Sequence, residues 1–327
     1  MGTETTIKGY DMLKKMFSIA DYSDTHQIIK ILGIKIKFPK RAVAKKLKAL
    51  PYYNYKKNNT DITCIPPAEG QFRDIQLANL ELLKELDYVC KTNRLQYWLD
   101  FGTLLGAVRH KGFVPWDDDI DVGMPRNDYN QIIETFNSKT RNPDYYAEYC
   151  TFNNLQVIIK LQNKKCPHLF VDIFPYDKTG LELTHQEQLE KTLNIKNLRK
   201  DIIFNLKKTK KQLTPTEIIG IYQSHFLNKH RENINGDWVW GADYNHHWKN
   251  WFTSEQTIYP LKEIIFEDTS FPCFNNIDGY LKKVYGNYME YPKKFGYGHN
   301  MFADFSDTEK TYIKNLITNK EILWKES

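Results

Sequence analysis

The chain has 327 residues, which exceeds one average domain of about 100–200 residues and permits one large domain or two modest ones. Hydrophobic residues make up 41% and charged residues 26%, a globular composition that excludes disorder for the bulk of the chain. No uncharged apolar run approaches the ~18 residues of a membrane-spanning helix, and the first residues lack the apolar core of a secretory signal. The five cysteines form no C-x-x-C pair. We therefore expect a cytoplasmic protein with reduced thiols and no structural zinc site.

The positive charge is concentrated in one segment. Between Lys30 and Lys57 the sequence has ten basic residues and no acidic ones, whereas the remainder has 36 basic and 40 acidic residues. Interspersed apolar residues make this segment suited to the surface of an anionic membrane. A solvated arm packed on the domain is the alternative, and no nucleic-acid motif accompanies the charge. We expect residues 1–69 to be a basic N-terminal segment whose residues 30–57 contact a membrane surface or the acceptor, with no nucleic acid as partner.

Hydrophobic periodicity predicts a series of helices and strands from residue 70 onward. In chain order these are a helix over 72–93, a strand over 97–101 halted by Gly102, a helix over 103–110, a strand over 120–124 closed by Pro125, a helix over 126–136, strands over 155–161 and 168–174, and polar helical sequence over 181–232. The order predicts an α/β (α+β) fold. Its core covers residues 70–180, and a mostly helical, aromatic-rich C-terminal part over residues 181–327 completes it.

Four carboxylates occupy five consecutive positions from Asp117 to Asp121. Such a cluster is costly unless a cation neutralises it. Asp119 and Asp121 are two residues apart, so on a strand they project to the same side. Carboxylates suit Mg²⁺ or Mn²⁺, which keep positions open for a phosphate. Most D-x-D sequences are surface loops or caps, but apolar Trp116 and Ile120 embed this one in a run where uncompensated charge is expensive.

Two further elements support a phosphate site. Gly102 and Thr103 lie between a predicted strand and a predicted helix, where backbone amides can approach a phosphate at a helix N-terminus. Asp172 is a single acid in an apolar strand, and a metal ion held by Asp119 and Asp121 would supply the partner it needs. This layout is that of the nucleotidyltransferase fold, in which carboxylates hold two metal ions around a phosphoryl group. We therefore expect a nucleotidyltransferase-like mixed sheet flanked by helices.

The stretch YWLDFGTLLGAVRHKGFVPWDDDIDVGMPRNDY, residues 97–129, resembles the signature of the LicD family, to which the fukutin-type proteins are related. The similarity continues through VDIFPYD and FEDTSFPCFNNIDGYLKKVYGNYMEYP and covers about residues 70–295. One departure is Phe101, where many relatives carry a small or polar residue. The resemblance implies transfer of a phospho-alcohol from a CDP-activated donor to a glycan hydroxyl. Bacterial members are mostly associated with phosphocholine, and fukutin-type relatives with ribitol phosphate.

Residue roles follow from the resemblance, motif by motif. It implies that Asp119, Asp121 and Asp172 are metal ligands, that Asp117 orients the acceptor or acts from the outer shell, and that Gly102 and Thr103 face the nucleotide phosphates. Asp117 and Asp172 remain alternatives for the base that accepts the proton of the acceptor hydroxyl. Nearby cationic residues are candidates for phosphate contact, Arg109 by a bidentate pair of hydrogen bonds. The others are His110 and, in the YLKKVYG motif, Lys282.

A choline donor requires aromatic side chains around a quaternary ammonium group. Aromatic candidates for such a donor or acceptor pocket are Trp116, Trp238, Trp240 and Trp248. The alternative interpretation is that these large side chains belong to the core. The expected partners are CDP-choline or a related CDP-alcohol and a free or lipid-linked glycan acceptor, at the inner face of the cytoplasmic membrane. Two other hypotheses stay open: nucleotidyl transfer from an NTP, and a non-catalytic protein tethered at a membrane.

Overall fold

The computed structural model describes residues 17–21, 26–31, 34–39, 51–152, 155–178, 182–209, 212–226, 236–241, 252–293, 295, 298–301 and 303–318, with side chains from residue 52 onward. The chain divides into two compact units, Met1–Ile62 and Thr63–Ser327. The division falls close to the end of the predicted basic segment.

The first unit contains a three-stranded antiparallel sheet that sequence periodicity did not predict. Its strands are β1 (Phe17–Asp21), β2 (His26–Ile31) and β3 (Ile34–Pro39), paired in chain order. Helix α1 (Pro51–Lys57) follows, and a short 3-10 helix (Ile62–Cys64) leads into the second unit. Most side chains of the basic segment over residues 30–57 lie outside the described residues, so its membrane contact remains a prediction.

The second unit is built on a mixed seven-stranded sheet. Its strands are β4 (Trp98–Leu99), β5 (Asp121–Pro125), β6 (Tyr145–Thr151), β7 (Val157–Asn163), β8 (Phe170–Lys178), β9 (Trp238–Trp240) and β10 (Phe252–Thr253). The long strand β8 is central. It runs parallel to β5 on one side, and on the other side it pairs antiparallel first with β7 and then with β9. A mixed sheet is the architecture that the motif layout predicted.

Helices flank this sheet. They are α2 (Gly70–Asn93), α3 (Phe101–His110), α4 (Arg126–Lys139), α5 (His185–Thr209), α6 (Pro215–Phe226), α7 (Glu255–Ile258), α8 (Ile277–Tyr285) and α9 (Asp307–Thr318). A β-hairpin of β11 (Lys262–Phe266) and β12 (Thr269–Cys273) separates α7 from α8. Among the described helices, none combines the length and the apolar character needed to cross a bilayer.

Apolar packing places α2 in the centre of the second unit. Ile75 and Ala78 on α2 join Ile313 and Leu316 on α9 in one buried cluster, so the first and last helices of the unit close over the same core. The start of α4 is tied to the sheet by a buried bidentate ion pair, in which Arg126 Nε lies 2.8 Å from Asp177 Oδ1. These contacts hold β5 and β8, the strands that carry the acidic motif, in a rigid frame.

The predicted elements between residues 70 and 178 are confirmed in type and order, but the predicted strand over 97–101 is limited to Trp98–Leu99, because α3 begins at Phe101. Strand β6 was not predicted. The acidic motif needs a further correction. Strand β5 begins at Asp121, and residues 117–120 have no regular secondary structure. The prediction that Asp119 lies on a strand with Asp121 is therefore wrong. In the C-terminal part, β9 and β10 add to the main sheet. Periodicity did not predict them because strands of two or three residues are too short to show alternation.

Candidate active site

Two of the predicted metal ligands lie side by side because their strands are parallel neighbours. Asp121 on β5 and Asp172 on β8 are register partners, so their side chains emerge on the same face of the sheet. The Asp172 N–H donates a hydrogen bond of 2.8 Å to the Ile120 carbonyl oxygen. The Asp121 N–H donates to Thr103 Oγ1 at 2.8 Å. Thr103 is buried and thus holds the start of β5 against α3.

The preceding acids form a compact group. One carboxylate oxygen from each of Asp117, Asp118 and Asp119 lies within 4.8 Å of the others, the spacing expected of ligands to one cation. Asp118 is fully buried and its Oδ2 accepts a hydrogen bond of 2.9 Å from the Asn300 N–H. Asp117 and Asp119 are only half-buried. Asp118 therefore anchors the loop, and its two neighbours present carboxylates beside those on the sheet.

The electrostatics of this cluster fit a divalent cation. Burial raises the pKa of Asp117 to about 7, and the charge of Asp118 adds to the rise. Burial also raises the pKa values of Asp119 and Asp121 well above their usual range, with further contributions from Asp117 and Asp172, respectively. Carboxylates are the hard oxygen ligands that Mg²⁺ and Mn²⁺ prefer. The compact group of Asp117, Asp118 and Asp119 therefore has the donor chemistry of a divalent-cation site. Among the described residues, the predicted ligand set of Asp119, Asp121 and Asp172 does not form such a compact group.

Asp172 is not the isolated core acid that the sequence suggested. Lys160 lies opposite it in register on β7, and the Lys160 Nζ is 2.5 Å from Asp172 Oδ1. The same ammonium group lies 3.8 Å from the ring centroid of Phe170. Burial raises the pKa of Asp172, and Lys160 opposes that rise. Lys160 was missed, although one charged residue in the apolar run VIIKL was a signal that could have identified it.

His299 is a second residue that sequence reasoning missed. Its Nδ1 lies 3.1 Å from Asp119 Oδ1, and its ring stacks on Phe170 with centroids 5.5 Å apart. The side chain is 61% exposed, so it borders the cluster from the solvent side. No local motif distinguishes His299 from other surface histidines, and only the long-range fold brings it to Asp119.

A pocket of about 510 Å³ opens beside the acids. The residues that line it are Gly102, Leu105, Arg109, Val114, Trp116, Asp117, Tyr285, Asn287, Tyr288, Glu290, Tyr291, Pro292 and Lys293. The pocket thus joins the predicted motif, residues 102–117, to the segment that follows α8. Its volume is in the range of small-molecule sites. Asp117 connects the pocket to the acidic cluster.

Arg109 carries a buried guanidinium group in the wall of this pocket. The residue is 6% exposed, and its Nε and Nη2 have no hydrogen-bond partner among the described residues. Burial lowers its pKa to about 10, so the group remains protonated at neutral pH. Nε and Nη2 form one edge of the guanidinium fork, which matches two oxygens of a phosphate. An unpaired buried cation is costly, so this edge is suited to an anionic ligand.

Gly102 lies where a side chain would crowd the acids. A Cβ atom at this position would be 3.1 Å from Asp117 Oδ2 and 3.8 Å from Asp121 Oδ2. Gly102 also lies in the first turn of α3, whose N-terminus carries partial positive charge. The position therefore combines open space with a favourable field for an anion, as the sequence predicted for a phosphate-contacting glycine. Whether it contacts phosphate stays a prediction.

Asp100 begins α3 and is buried completely. Its carboxylate accepts hydrogen bonds from the Phe101 N–H at 2.8 Å, the Tyr176 hydroxyl at 2.7 Å and the Tyr280 hydroxyl. Burial raises the pKa of Asp100 to about 6, and the three hydrogen bonds oppose that rise. Phe101 has a φ of 38°, so the chain enters α3 through a left-handed residue. Its ring packs on Trp240 with centroids 4.6 Å apart, outside the pocket lining.

The raised pKa of Asp100 predicts a defined pH dependence of stability. Between about pH 4 and pH 6 the unfolded chain releases a proton that the folded protein retains, so stability present at low pH is lost as the pH rises. A pKa raised from about 4 to about 6 changes the free energy of unfolding by ~3 kcal/mol across this pH range. We expect the free energy of unfolding of the wild-type protein, measured with denaturant in the absence of metal, to fall as the pH rises through this range. In Asp100→Asn this fall should be absent. An equal pH slope in both proteins would contradict the assignment.

Other predicted site residues lie away from the pocket. His110 is not among the lining residues, and burial, with the charge of Arg109, lowers its pKa to about 4, so its imidazole is neutral at pH 7. Lys282 is exposed and pairs with Asp278 at 2.8 Å on the surface of α8. Trp238 and Trp240 are both 6% exposed and pack in the core. Trp248 lies outside the described residues. Of the three predicted tryptophans that the structure describes, only Trp116 lines the pocket.

Comparison with known proteins gives a family match over the same region. A family model described as LicD/FKTN/FKRP, nucleotidyltransferase domain, matches residues 94–214. The lipopolysaccharide cholinephosphotransferase LicD of Haemophilus influenzae is 30% identical over 250 residues, which cover 67% of this chain and 92% of that protein.

Two further relatives match a shorter part of the chain. An uncharacterized protein of Rickettsia typhi is 34% identical over 107 residues, 31% of this chain and 35% of that protein. The human ribitol 5-phosphate transferase FKRP is 27% identical over 103 residues, 29% of this chain and 21% of that protein. The extent of the Haemophilus match, together with the family model, shows that the chain belongs to the LicD family.

Proposed function

We propose that this protein is a metal-dependent transferase that moves phosphocholine from CDP-choline to a hydroxyl group of a cell-surface glycan and releases CMP. The observation that carries the proposal is one pocket lined both by Arg109, whose Nε and Nη2 have no hydrogen-bond partner among the described residues, and by Asp117, the member of the acidic cluster that faces the pocket. An anionic group bound by Arg109 would lie next to carboxylates suited to a divalent cation. This is the combination that transfer of a phosphoryl group requires.

The metal would be held by Asp119 and Asp121, with Asp172 beside them. A bound Mg²⁺ or Mn²⁺ would supply Lewis-acid stabilisation of charge on the phosphoryl oxygens. The protein groups have the remaining roles. Arg109 binds the phosphate that departs with cytidine, and Gly102 leaves room for the diphosphate between α3 and the acids.

The transfer itself is an in-line displacement. The acceptor oxygen forms a bond to the phosphorus that carries the choline ester, the bond from that phosphorus to the CMP oxygen breaks, and the acceptor proton passes to a carboxylate. We favour Asp117 as that carboxylate because it lines the pocket, whereas Asp172 is paired with Lys160. A base must lie within hydrogen-bond reach of the proton that it accepts, and Asp117 has the open position.

The donor, acceptor and location are parts of the same proposal. The Haemophilus relative is named as a cholinephosphotransferase and the human relative as a ribitol 5-phosphate transferase, so both support a phospho-alcohol donor. We propose CDP-choline on the longer match, with CDP-ethanolamine, CDP-glycerol and CDP-ribitol as alternatives. The acceptor would be a glycan of the lipopolysaccharide, capsule or teichoic-acid type. The protein would act in the cytoplasm, at the inner membrane face, with residues 30–57 contacting the membrane or the acceptor.

Release of CMP tests the proposal. The four CDP-alcohols would be offered separately to the purified protein with Mg²⁺ or Mn²⁺ and a mixed glycan extract, with Asp119→Ala as the inactive control. We expect CMP from CDP-choline, dependent on the extract and lost in the variant. Release of CMP from another of the four donors would identify that donor, in place of CDP-choline, as the substrate. Pyrophosphate from an NTP would favour nucleotidyl transfer, and no product from a folded, metal-binding protein would favour a binding protein.

Substituting Gly102 tests the space beside the acids. In Gly102→Ala the new methyl group lies 3.1 Å from Asp117 Oδ2. We expect kcat/KM for CMP release to fall about tenfold, equivalent to ~1.4 kcal/mol of transition-state stabilisation, without loss of thermal stability. Gly220→Ala in α6 is the matched control because a Cβ there meets no atom within 4 Å. Equal activity of the two variants would show that no ligand group needs the space at Gly102.

A further inference from the structure

The outward face of α5 carries large apolar side chains that the fold leaves exposed. Leu189, Leu193 and Phe204 are 38%, 56% and 69% exposed, respectively. They are four and eleven residues apart, close to whole helical turns, so their side chains share one face. Seven large apolar side chains are exposed in the part of the chain with described side chains, and three of them belong to this stripe. Leu193 and Phe204 are about 16 Å apart along the helix axis, so the stripe has an apolar pair at one end and an aromatic ring at the other.

The packing of α5 shows that this stripe points away from the protein. Thr192, Ile195 and Arg199 form the buried face of the helix. Arg199 Nε donates a hydrogen bond of 3.0 Å to the hydroxyl group of Tyr222 on α6. The buried residues are three and four positions apart, as expected of one face, and that face lies more than a quarter turn from the stripe. The stripe is therefore an apolar face without a described neighbour.

Charge indicates which partner this face fits. Helix α5, residues 185–209, contains six lysine or arginine residues and three acidic residues, Glu187, Glu190 and Asp201, and the basic residues dominate from residue 191 onward. Lys200 and Lys207 are exposed and lie on the stripe, four residues before and three residues after Phe204. Lys208 borders it. Two copies of this helix would bring like charges together, whereas an anionic surface would meet complementary charge. Apolar residues flanked by lysines are the pattern of helices that lie in the interface of anionic membranes.

We propose that α5 docks the protein on an anionic lipid bilayer. Leu189, Leu193 and Phe204 enter the boundary between headgroups and acyl chains, and the lysines remain at the level of the lipid phosphates. The surface is separate from the predicted contact at residues 30–57 and from the pocket. It does not depend on the proposed reaction, so each can fail without the other.

Vesicle flotation of the full chain tests the proposal. The probe is a vesicle of phosphatidylglycerol and phosphatidylcholine in equal amounts, with pure phosphatidylcholine as the uncharged comparison. The test variant is Leu193→Glu with Phe204→Glu, and the matched control is Ile265→Glu on β11, where the replaced side chain is 58% exposed. Both variants alter exposed positions, and circular dichroism melts verify that they fold.

We expect the wild-type protein and Ile265→Glu to bind the anionic vesicles, with binding weakened by salt. Leu193→Glu with Phe204→Glu should bind them at least about tenfold more weakly, because two apolar anchors become anions. The conservative pair Leu193→Ile with Phe204→Leu should retain binding. Equal binding by the glutamate variant and the control would overturn the proposal. A second result would also overturn it: the wild-type protein does not bind vesicles, and it forms a dimer in ultracentrifugation that the glutamate variant does not form. The face would then join two copies of the chain.

Discussion

Asp121→Asn should abolish CMP release and at the same time stabilise the metal-free protein. Asn has the same shape as Asp but lacks the charge that a divalent cation needs, so we expect activity to fall by about a thousandfold, or ~4 kcal/mol. Burial and the charges of Asp172 and Asp117 raise the pKa of Asp121 well above its usual range. The ionised carboxylate therefore lowers the free energy of unfolding of the metal-free protein. The amide removes this destabilisation, and a gain of ~1 kcal/mol corresponds to about 2–4 °C in Tm.

CMP release and thermal melts at pH 7 with a chelator measure the two effects. Asp201→Asn is the matched control because this aspartate is exposed on α5, away from the site. We expect it to leave both activity and metal-free Tm unchanged. Added Mn²⁺ should raise the Tm of the wild-type protein and of Asp201→Asn, and raise that of Asp121→Asn much less. Activity above a tenth of wild type in Asp121→Asn would show that Asp121 does not hold the metal.

Arg109→Met is expected to lower kcat/KM about a hundredfold while its thermal stability does not fall. The buried guanidinium has two unpaired N–H groups, so methionine removes a desolvated charge as well as the proposed phosphate contact. Arg109→Lys should recover only part of the activity, because an ammonium group cannot donate two parallel hydrogen bonds to one phosphate. Loss of the contact with Trp116, whose ring centroid is 5.7 Å from the guanidinium carbon, offsets part of the stability gain.

Titration with CMP by calorimetry separates binding from catalysis. We expect Arg109→Met to bind CMP at least about tenfold more weakly than wild type, because a charge-assisted hydrogen-bond pair is lost. The exposed Arg94→Met is the control for loss of one positive charge. If Arg109→Met bound CMP as well as Arg94→Met does, the guanidinium would have no part in nucleotide binding. A lower Tm would instead identify Arg109 as a structural residue.

The fold was predictable where local chemistry decides structure. The helix over residues 72–93 shows its apolar periodicity in sequence, and α2 covers Gly70–Asn93. Strands β7 and β8 are apolar, β-branched runs and form as predicted. Where the chain departs from regular structure, prediction failed. The loop at Asp119 is held by long-range hydrogen bonds from Asn79 and Asn300 to Asp118, which periodicity cannot represent.

The amino-acid sequence by itself determined the chemical identity of the site: a run of carboxylates, a glycine at a helix start and an arginine nearby, all within residues 97–129. These features are local, so neighbouring positions suffice to show them. Only the tertiary structure decided which groups face one another. It placed Lys160 on Asp172 and His299 beside Asp119, left Nε and Nη2 of Arg109 without a hydrogen-bond partner among the described residues, and closed a pocket with residues 285–293. These relations depend on strand register and helix packing between segments far apart in the chain, so no local pattern contains them.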